Sequence, residues 1–260
     1  MRWRLGVAGS PIEHSLSPVL HEAGLEIAGL EGSSRRYEIT EDRSGRLRDL
    51  MGAEVDALSV TMPLKAAAAE LCDELDDIAR ELGVVNSLLW REERLWGAST
   101  DGPGFVDALR GELGFDVADT YVVVLGAGGA ARGIVAALVH ERVHSVAVLG
   151  RTSAHVAAIT RRHSQVLDHT TLHRPVDLIV NTTPVNGRRD ASAVMQGVNR
   201  DTVAVDITYD PPRSAWLALH ADLGCRHANG LAMLAYQAAR QMNWWWGSDL
   251  TGAQLLGALA

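Results

Sequence analysis

The sequence predicts an α/β protein of two domains with largely parallel sheets. Three observations carry this prediction. Short β-rich runs alternate with helical periodicity along most of the chain, the alternation restarts after Asp101, and the strands of the second half are near-continuous apolar runs, as a sheet covered on both faces requires. With 260 residues and 47% hydrophobic content, the chain is long enough to bury a core in each half.

In the first half, "LGVAG" reads as the first strand. Ser17-Pro18 follows as a hydroxyl N-cap with proline at the first helical position, and Leu20, Ala23, Ile27 and Leu30 continue at helical spacing. "RYEIT" and "VDALSVT" read as the next strands. After Pro63, the positions Leu64, Ala68, Leu71, Leu75, Ile78 and Leu82 make one apolar stripe, which predicts a single helix with Lys65 in its first turn. A cation there faces the positive end of the peptide dipoles, where a carboxylate is the group favoured. Lys65 is therefore a residue whose position asks for a use. "SLLWREERLWGAS" reads as a β-hairpin with a charged tip.

From Asp101 the pattern begins again: "DGPGFVDALRGEL" as a helix, then strands in "YVVVLGAGGAARGIVAALV", "VHSVAVLGRT", "PVDLIVNTTP" and "TVAVDITY". The apolar face of "NGLAMLAYQAARQMNWWW" fits a last helix that packs back on the first domain. The expected domains are thus residues 1–100 with 230–260, and residues 101–229.

The second domain carries the more specific motif. In "VVVLGAGGAARG", Gly126, Gly128 and Gly129 stand between a buried strand and a helix of small residues, where glycine lets the backbone approach a pyrophosphate and leaves helix N-terminal amides free to bind it. The alternative is a tight structural turn. The next strand ends in Gly150-Arg151-Thr152 rather than in the acidic residue that grips the free ribose hydroxyls of NAD. A guanidinium and a hydroxyl at that edge suit a 2′-phosphate, the alternative being a solvated surface arginine.

Other patterns are set aside or left open. "HERVH", His140 to His144, matches a zinc-protease pattern that needs both histidines on one helical face, but it falls where a helix ends and a strand begins, so no metal is expected. His163, His169 and His173 read as surface histidines. In "GSPIEHSLSP", Ser15 and Ser17 flank a helix start, either as a good cap or as an anion site. Trp244 to Trp246 fit a core, a domain contact or an interface equally.

Net charge is -8 and no Lys/Arg run exceeds doublets such as Arg35-Arg36, which points to small-molecule ligands and away from nucleic acid or an acidic membrane surface. Cys72 and Cys225 are too few for a disulfide framework and fit buried thiols in a reducing cytoplasm. Neither an export signal nor a membrane span is expected.

Taken in order, "GSPIEHSLSP", "SVTMPLK", "GVVNS", "GASTDGPG", "GAGGAARG" with "GRTS", "NTTP" and "NGLAMLAYQA" resemble the shikimate dehydrogenase family over nearly the whole chain. The resemblance implies a substrate domain and a Rossmann-type nucleotide domain around a cleft, and reversible reduction of 3-dehydroshikimate to shikimate with NADP(H); a monomer and a homodimer are both left open. It implies that Ser15 and Ser17 hold the substrate carboxylate, and that Thr61, Lys65, Asn86, Asp101 and Gln237 hold the ring hydroxyls and the reacting oxygen. Lys65 and Asp101 become the catalytic pair. Gly126, Ala127, Gly128, Gly129, Ala130, Arg151, Thr152, Thr183 and Gly230 become the cofactor site.

The chain departs from the family's usual pattern at Ser59 and Ser99, where asparagine is common, at Gly150 before the cofactor arginine, and at His155, about where a second arginine often stands. The last two weaken discrimination between NADP and NAD. They keep open a quinate/shikimate dehydrogenase with relaxed cofactor use, while a paralogue that only binds such ligands sits poorly with the presence of both Lys65 and Asp101.

Overall fold

The computed structural model describes residues 2–167, 175–183 and 197–259. They fall into two compact units, Met1–Gly104 with Ala235–Ala260, and Phe105–Leu234. The boundaries lie inside two helices, a few residues beyond the starts of "DGPGF" and "NGLAM" at which the sequence pattern changes.

The first unit opens with β1 (Arg2–Gly9), α1 (Ser17–Ile27), β2 (Glu31–Glu38), the short α2 (Arg46–Leu50) and β3 (Ala57–Val60). β1 pairs in parallel with both β2 and β3. Ser17 is the first residue of α1 rather than its cap: Leu16 holds the cap position without a side-chain bond, and Pro18 is the second helical residue. Ser15 takes the capping role instead, its Oγ accepting from the Ser17 N–H at 3.3 Å.

The stripe after Pro63 is not one helix. α3 (Lys65–Leu71) ends at Cys72, which is extended; β4 (Glu74–Leu75) follows, and then α4 (Asp77–Leu82). Aspartates make the break. The Asp73 carboxylate accepts from the Leu95 N–H at 2.8 Å, and Asp76 caps α4 by accepting from the Ala79 N–H at 2.6 Å. Both bonds draw the chain out of the helical path that the apolar spacing alone would continue. Cys72 is half-buried rather than buried, its thiol bonded to the Ala68 carbonyl, while Cys225 is buried.

The expected hairpin is present as β5 (Ser87–Arg91) and β6 (Arg94–Ala98), turned by Glu92 and Glu93, whose φ values of 54° and 60° match a two-residue turn with both residues left-handed. Because β5 runs back along β3, the sheet is mixed, with order β2-β1-β3-β5-β6-β4 and β5 its one antiparallel strand among the described residues. β2 and β4 are its edges. Leu47, Leu58, Leu64, Leu88 and Leu95 are among the fully buried residues of this unit's core.

α5 (Asp101–Leu113) leads into the second unit: β7 (Tyr121–Leu125), α6 (Gly129–His140), β8 (Ser145–Leu149), α7 (Ser153–Thr160), β9 (Val166–Leu167), β10 (Leu178–Asn181), β11 (Val203–Asp206), α8 (Ala215–Asp222) and β12 (Arg226–Ala228). All its pairings are parallel, in the order β12-β11-β10-β7-β8-β9. Alternation explains why these strands read as unbroken apolar runs. Val122, Val124, Val146, Val148 and Val180 pack on one face with α6, while Val123, Ala147, Ile179 and Ala204 pack on the other with Trp216 and Leu217 of α8.

α9 (Gly230–Trp246) and α10 (Gly252–Gly257) complete the chain, and residues from Ala235 onward belong to the first unit. There Trp245 is buried against His21, with ring centroids 5.3 Å apart, and half-buried Trp246 is tilted against Trp3 at 6.0 Å, so Trp245 is core of the first unit.

Candidate active site

Lys65 is the first residue of α3 and Asp101 the first residue of α5. Lys65 Nζ donates to Asp101 Oδ2 at 2.5 Å, and the two side chains keep 23% and 17% of their surface exposed. The pair is thus packed in place yet reachable from solvent. Asn86, buried just before β5, donates through Nδ2 to the other carboxylate oxygen of Asp101 at 2.8 Å and also to Gln237 Oε1 at 3.1 Å and Thr100 Oγ1 at 3.0 Å. Its Oδ1 accepts from the Thr100 N–H at 2.8 Å, so the amide orientation is fixed at both ends.

These bonds bring Lys65, Asp101, Asn86 and Gln237 into one cluster. Thr61 is tied to the start of α3 through the backbone, its carbonyl accepting from the Leu64 N–H, and among the described residues its side chain makes no hydrogen bond to the cluster. Ser15 and Ser17 form a separate group at the start of α1, their hydroxyls 3.2 Å apart. Among the described residues, no hydrogen bond joins this pair to the Lys65 cluster. Arg36, unmarked by any motif, donates to the Ser15 carbonyl at 2.6 and 3.1 Å and places a positive charge beside the two hydroxyls.

A second set of polar groups lies behind Asn86. Ser59 is buried and bonded to His21 and Gln241, so its hydroxyl serves internal contacts. Helical spacing carries a signal here: Gln241 follows Gln237 by four residues, and His21 follows Ser17 by four. Among the described residues, no group of His, Cys, Asp and Glu is arranged to hold a metal ion. "HERVH" is divided by the fold, with His140 ending α6, Arg142 at φ 59°, and the His144 ring tilted against Tyr121 at 4.5 Å.

All the nucleotide-motif residues lie in the second unit. Gly126 follows β7 with φ 116°, and a Cβ there would collide with Thr182 Oγ1, so the turn demands glycine. Gly128 and Gly129 differ: a Cβ on either meets nothing within 4 Å. Gly128 occupies the cap position of α6 and offers no side chain to its amides. Open space over uncapped N–H groups at the positive end of a 12-residue helix fits a pyrophosphate. Ala127 and Ala130 flank this loop, half-buried.

Gly150 brings the end of β8 close to the same loop, since a Cβ there would stand 2.9 Å from Ala127 Cβ and 3.0 Å from Val156 Cγ2. This accounts for glycine where the family commonly has asparagine. Arg151, Thr152 and His155 are all exposed beyond it, Thr152 at the cap position of α7 and His155 in its first turn. Thr183 donates through Oγ1 to Asn181 Oδ1 at 2.6 Å, beside Thr182, whose Oγ1 donates to the Leu125 carbonyl. Pro184 of "NTTP", His169 and His173 lie outside the described residues. Gly230 begins α9 where a Cβ would overlap the Ile207 carbonyl.

Two family models match the chain: the shikimate dehydrogenase substrate binding domain over residues 7–88 and shikimate / quinate 5-dehydrogenase over residues 110–213. The chain belongs to the shikimate dehydrogenase family. It is 35% identical to the shikimate dehydrogenase (NADP(+)) of Exiguobacterium sp. over 98% of each chain. Among solved structures it resembles shikimate 5-dehydrogenase from Thermus thermophilus in complex with NADP(H) and shikimate, with a TM-score of 0.86 and 31% identity over 98% of each chain. Shikimate dehydrogenase from Aquifex aeolicus gives a TM-score of 0.87 at 28% identity over 99% of this chain and 97% of that one. The family read from the motif order, and its two-domain α/β class, are therefore those of the chain.

Proposed function

We propose that the chain catalyses the reversible NADPH-dependent reduction of 3-dehydroshikimate to shikimate. The observation that carries the site assignment is the Lys65–Asp101 pair with Asn86 on the second carboxylate oxygen. When bound, NADPH supplies a hydride to the carbonyl carbon. Charge then develops on the carbonyl oxygen, and the Lys65 ammonium, donating to that oxygen, stabilises the charge and delivers the proton that completes the hydroxyl. In the reverse direction the neutral amine takes the proton back. Asp101 holds Nζ in place and, with Asn86 and Gln237, offers acceptors and donors to the ring hydroxyls. A site that pairs each hydroxyl rejects analogues lacking one. Ser15 and Ser17 receive the carboxylate, with the Arg36 charge nearby, and Thr61 is assigned with Lys65 and Asn86 to the ring hydroxyls.

In the second unit, the amides after Gly128 receive the pyrophosphate, and Arg151 with Thr152 receives the 2′-phosphate. Thr183 and Gly230 are assigned to the nicotinamide end. We read the chain as a cytoplasmic monomer or homodimer acting on small molecules, the net charge of -8 fitting such ligands better than nucleic acid. A panel of shikimate and quinate, each with NADP and NAD, in wild type and Lys65→Ala tests the reading. Turnover of shikimate with NADP that is lost in Lys65→Ala supports it, and wild-type turnover in that variant refutes the role of Lys65. The exposed His155 in place of a second arginine favours one alternative, a quinate/shikimate dehydrogenase with relaxed cofactor use, and an NAD-preferring wild type would put it first.

A further inference from the structure

Four polar side chains outside the proposed machinery form a continuous line that ends on Asn86. Ser34 Oγ lies 2.8 Å from His21 Nδ1, and His21 Nε2 lies 2.9 Å from Ser59 Oγ. Ser59 Oγ lies 2.9 Å from Gln241 Oε1, and Gln241 Nε2 donates to the Asn86 carbonyl oxygen at 2.7 Å. His21 and Gln241 are 0% and 1% exposed, so water does not compete for these bonds.

The direction of every proton follows from the far end. A carbonyl only accepts, so the Gln241 amide turns its NH2 to Asn86 and its oxygen to Ser59. The single Ser59 hydroxyl proton therefore goes to Gln241, and its oxygen accepts from His21 Nε2–H. His21 is then a neutral imidazole with a bare Nδ1 that accepts from the Ser34 hydroxyl. Burial pushes the His21 pKa down to about 3, which keeps the ring neutral at working pH. Reversing any one link would set two donors or two acceptors against each other.

The end of the line is a main-chain atom under double control. The Asn86 carbonyl accepts from Gln241 and from the Val60 N–H at 2.8 Å, while the Asn86 side chain holds Asp101. We propose that His21, Ser59 and Gln241 are positioning residues, a one-way hydrogen-bond line that sets Asp101 against Lys65 through the backbone of Asn86. The inference rests on the reading of Lys65 and Asp101 as the catalytic pair.

Long-range 1H–15N correlation on the whole wild-type chain reads the His21 tautomer directly. The Nε2–H form is expected across pH 6 to 8, and an Nδ1–H form overturns the proposal whether or not any variant folds. Ser59→Ala and Gln241→Leu are expected to lower kcat by roughly tenfold or more, because small displacements of a catalytic group cost that much, with the KM for NADP within about twofold. A purely structural role would lower the melting temperature and leave kcat per folded molecule intact, so a wild-type kcat in folded Ser59→Ala sinks the positioning role. Lys65→Ala separates the two readings. If it keeps turnover, the catalytic assignment fails; if it is inactive while Ser59→Ala is normal, only the positioning proposal fails.

Discussion

Lys65 Nζ stands 2.5 Å from Asp101 Oδ2, and each residue opens a helix. The two helix starts act on them in opposite senses. The dipoles of 13-residue α5 favour a carboxylate at Asp101, whereas those of α3 disfavour the ammonium at Lys65. The lysine is thus held by its neighbour against its own helix.

Lys65→Ala is expected to lower kcat by about 10²- to 10⁴-fold, the range for loss of a general acid–base, with a much smaller change in substrate KM. Asp101→Asn keeps the shape but removes the counter-charge and one acceptor, and its kcat should also fall while the protein still folds. Steady-state kinetics with shikimate and NADP, beside a melting curve for each variant, checks both.

Arg151→Ala should reduce kcat/KM for NADP by roughly tenfold to a hundredfold, the worth of a charge-assisted contact, and leave NAD nearly unchanged. His155→Arg should act in the opposite direction, since the side chain sits exposed in the first turn of α7 on the same edge. An unchanged cofactor ratio in both variants would remove the phosphate assignment.

The loop glycines should separate stability from binding. Gly126→Ala forces a side chain into φ 116° and onto Thr182, and should cost about 1–3 kcal/mol of stability. Gly128→Ala meets no protein atom and has an ordinary φ of -82°, so its melting temperature should hold while NADP affinity falls. Thermal shift with and without NADP distinguishes them.

Acid should destabilise the fold through a buried imidazole. His21 has its pKa lowered from 6.5 to about 3 by burial, so between these values the unfolded chain binds a proton that the folded chain refuses. Stability therefore falls as pH drops through that window, by at most about 1.4 kcal/mol per pH unit for this one group. Burial lowers His220 as well, adding to the same slope. Urea unfolding at pH 7, 6 and 5 measures the slope, and His21→Gln should flatten it.

Arg36→Ala should raise the KM for shikimate several-fold and weaken its salt dependence, with kcat little altered. Its guanidinium meets the Ser15 carbonyl and charges the neighbourhood of the two hydroxyls without touching the Lys65 cluster. An unchanged KM would leave Arg36 as a loop fastening alone.

Much of this was legible because periodicity and motif order report backbone layout. The apolar residues of β7 and β8 alternate between two covered faces, so their unbroken apolar runs announced a parallel sheet. The apolar stripe from Leu64 to Leu82 misled because spacing alone does not show that Ile78 is exposed rather than core, and only the bonds of Asp73 and Asp76 reveal the interruption. Ser59 read only as a departure from the family's usual asparagine, because its bonding partners His21 and Gln241 come from distant parts of the chain. Lone polar residues in apolar surroundings carry no mark of their partners. Arg36 was hidden for the same reason, being one half of a doublet on an exposed strand.

That strand, β2, lies at the margin of the first sheet and presents Glu31, Arg35, Arg36 and Glu38 to solvent along eight residues. A margin of this length with free amides and carbonyls is a template on which nascent or partly unfolded chains stack. Here any incoming strand would have to strip water from charges of both signs before it made its first ladder bond. Arg36, which steadies Ser15, is thus also one of the charges that make this margin a poor template for a further strand.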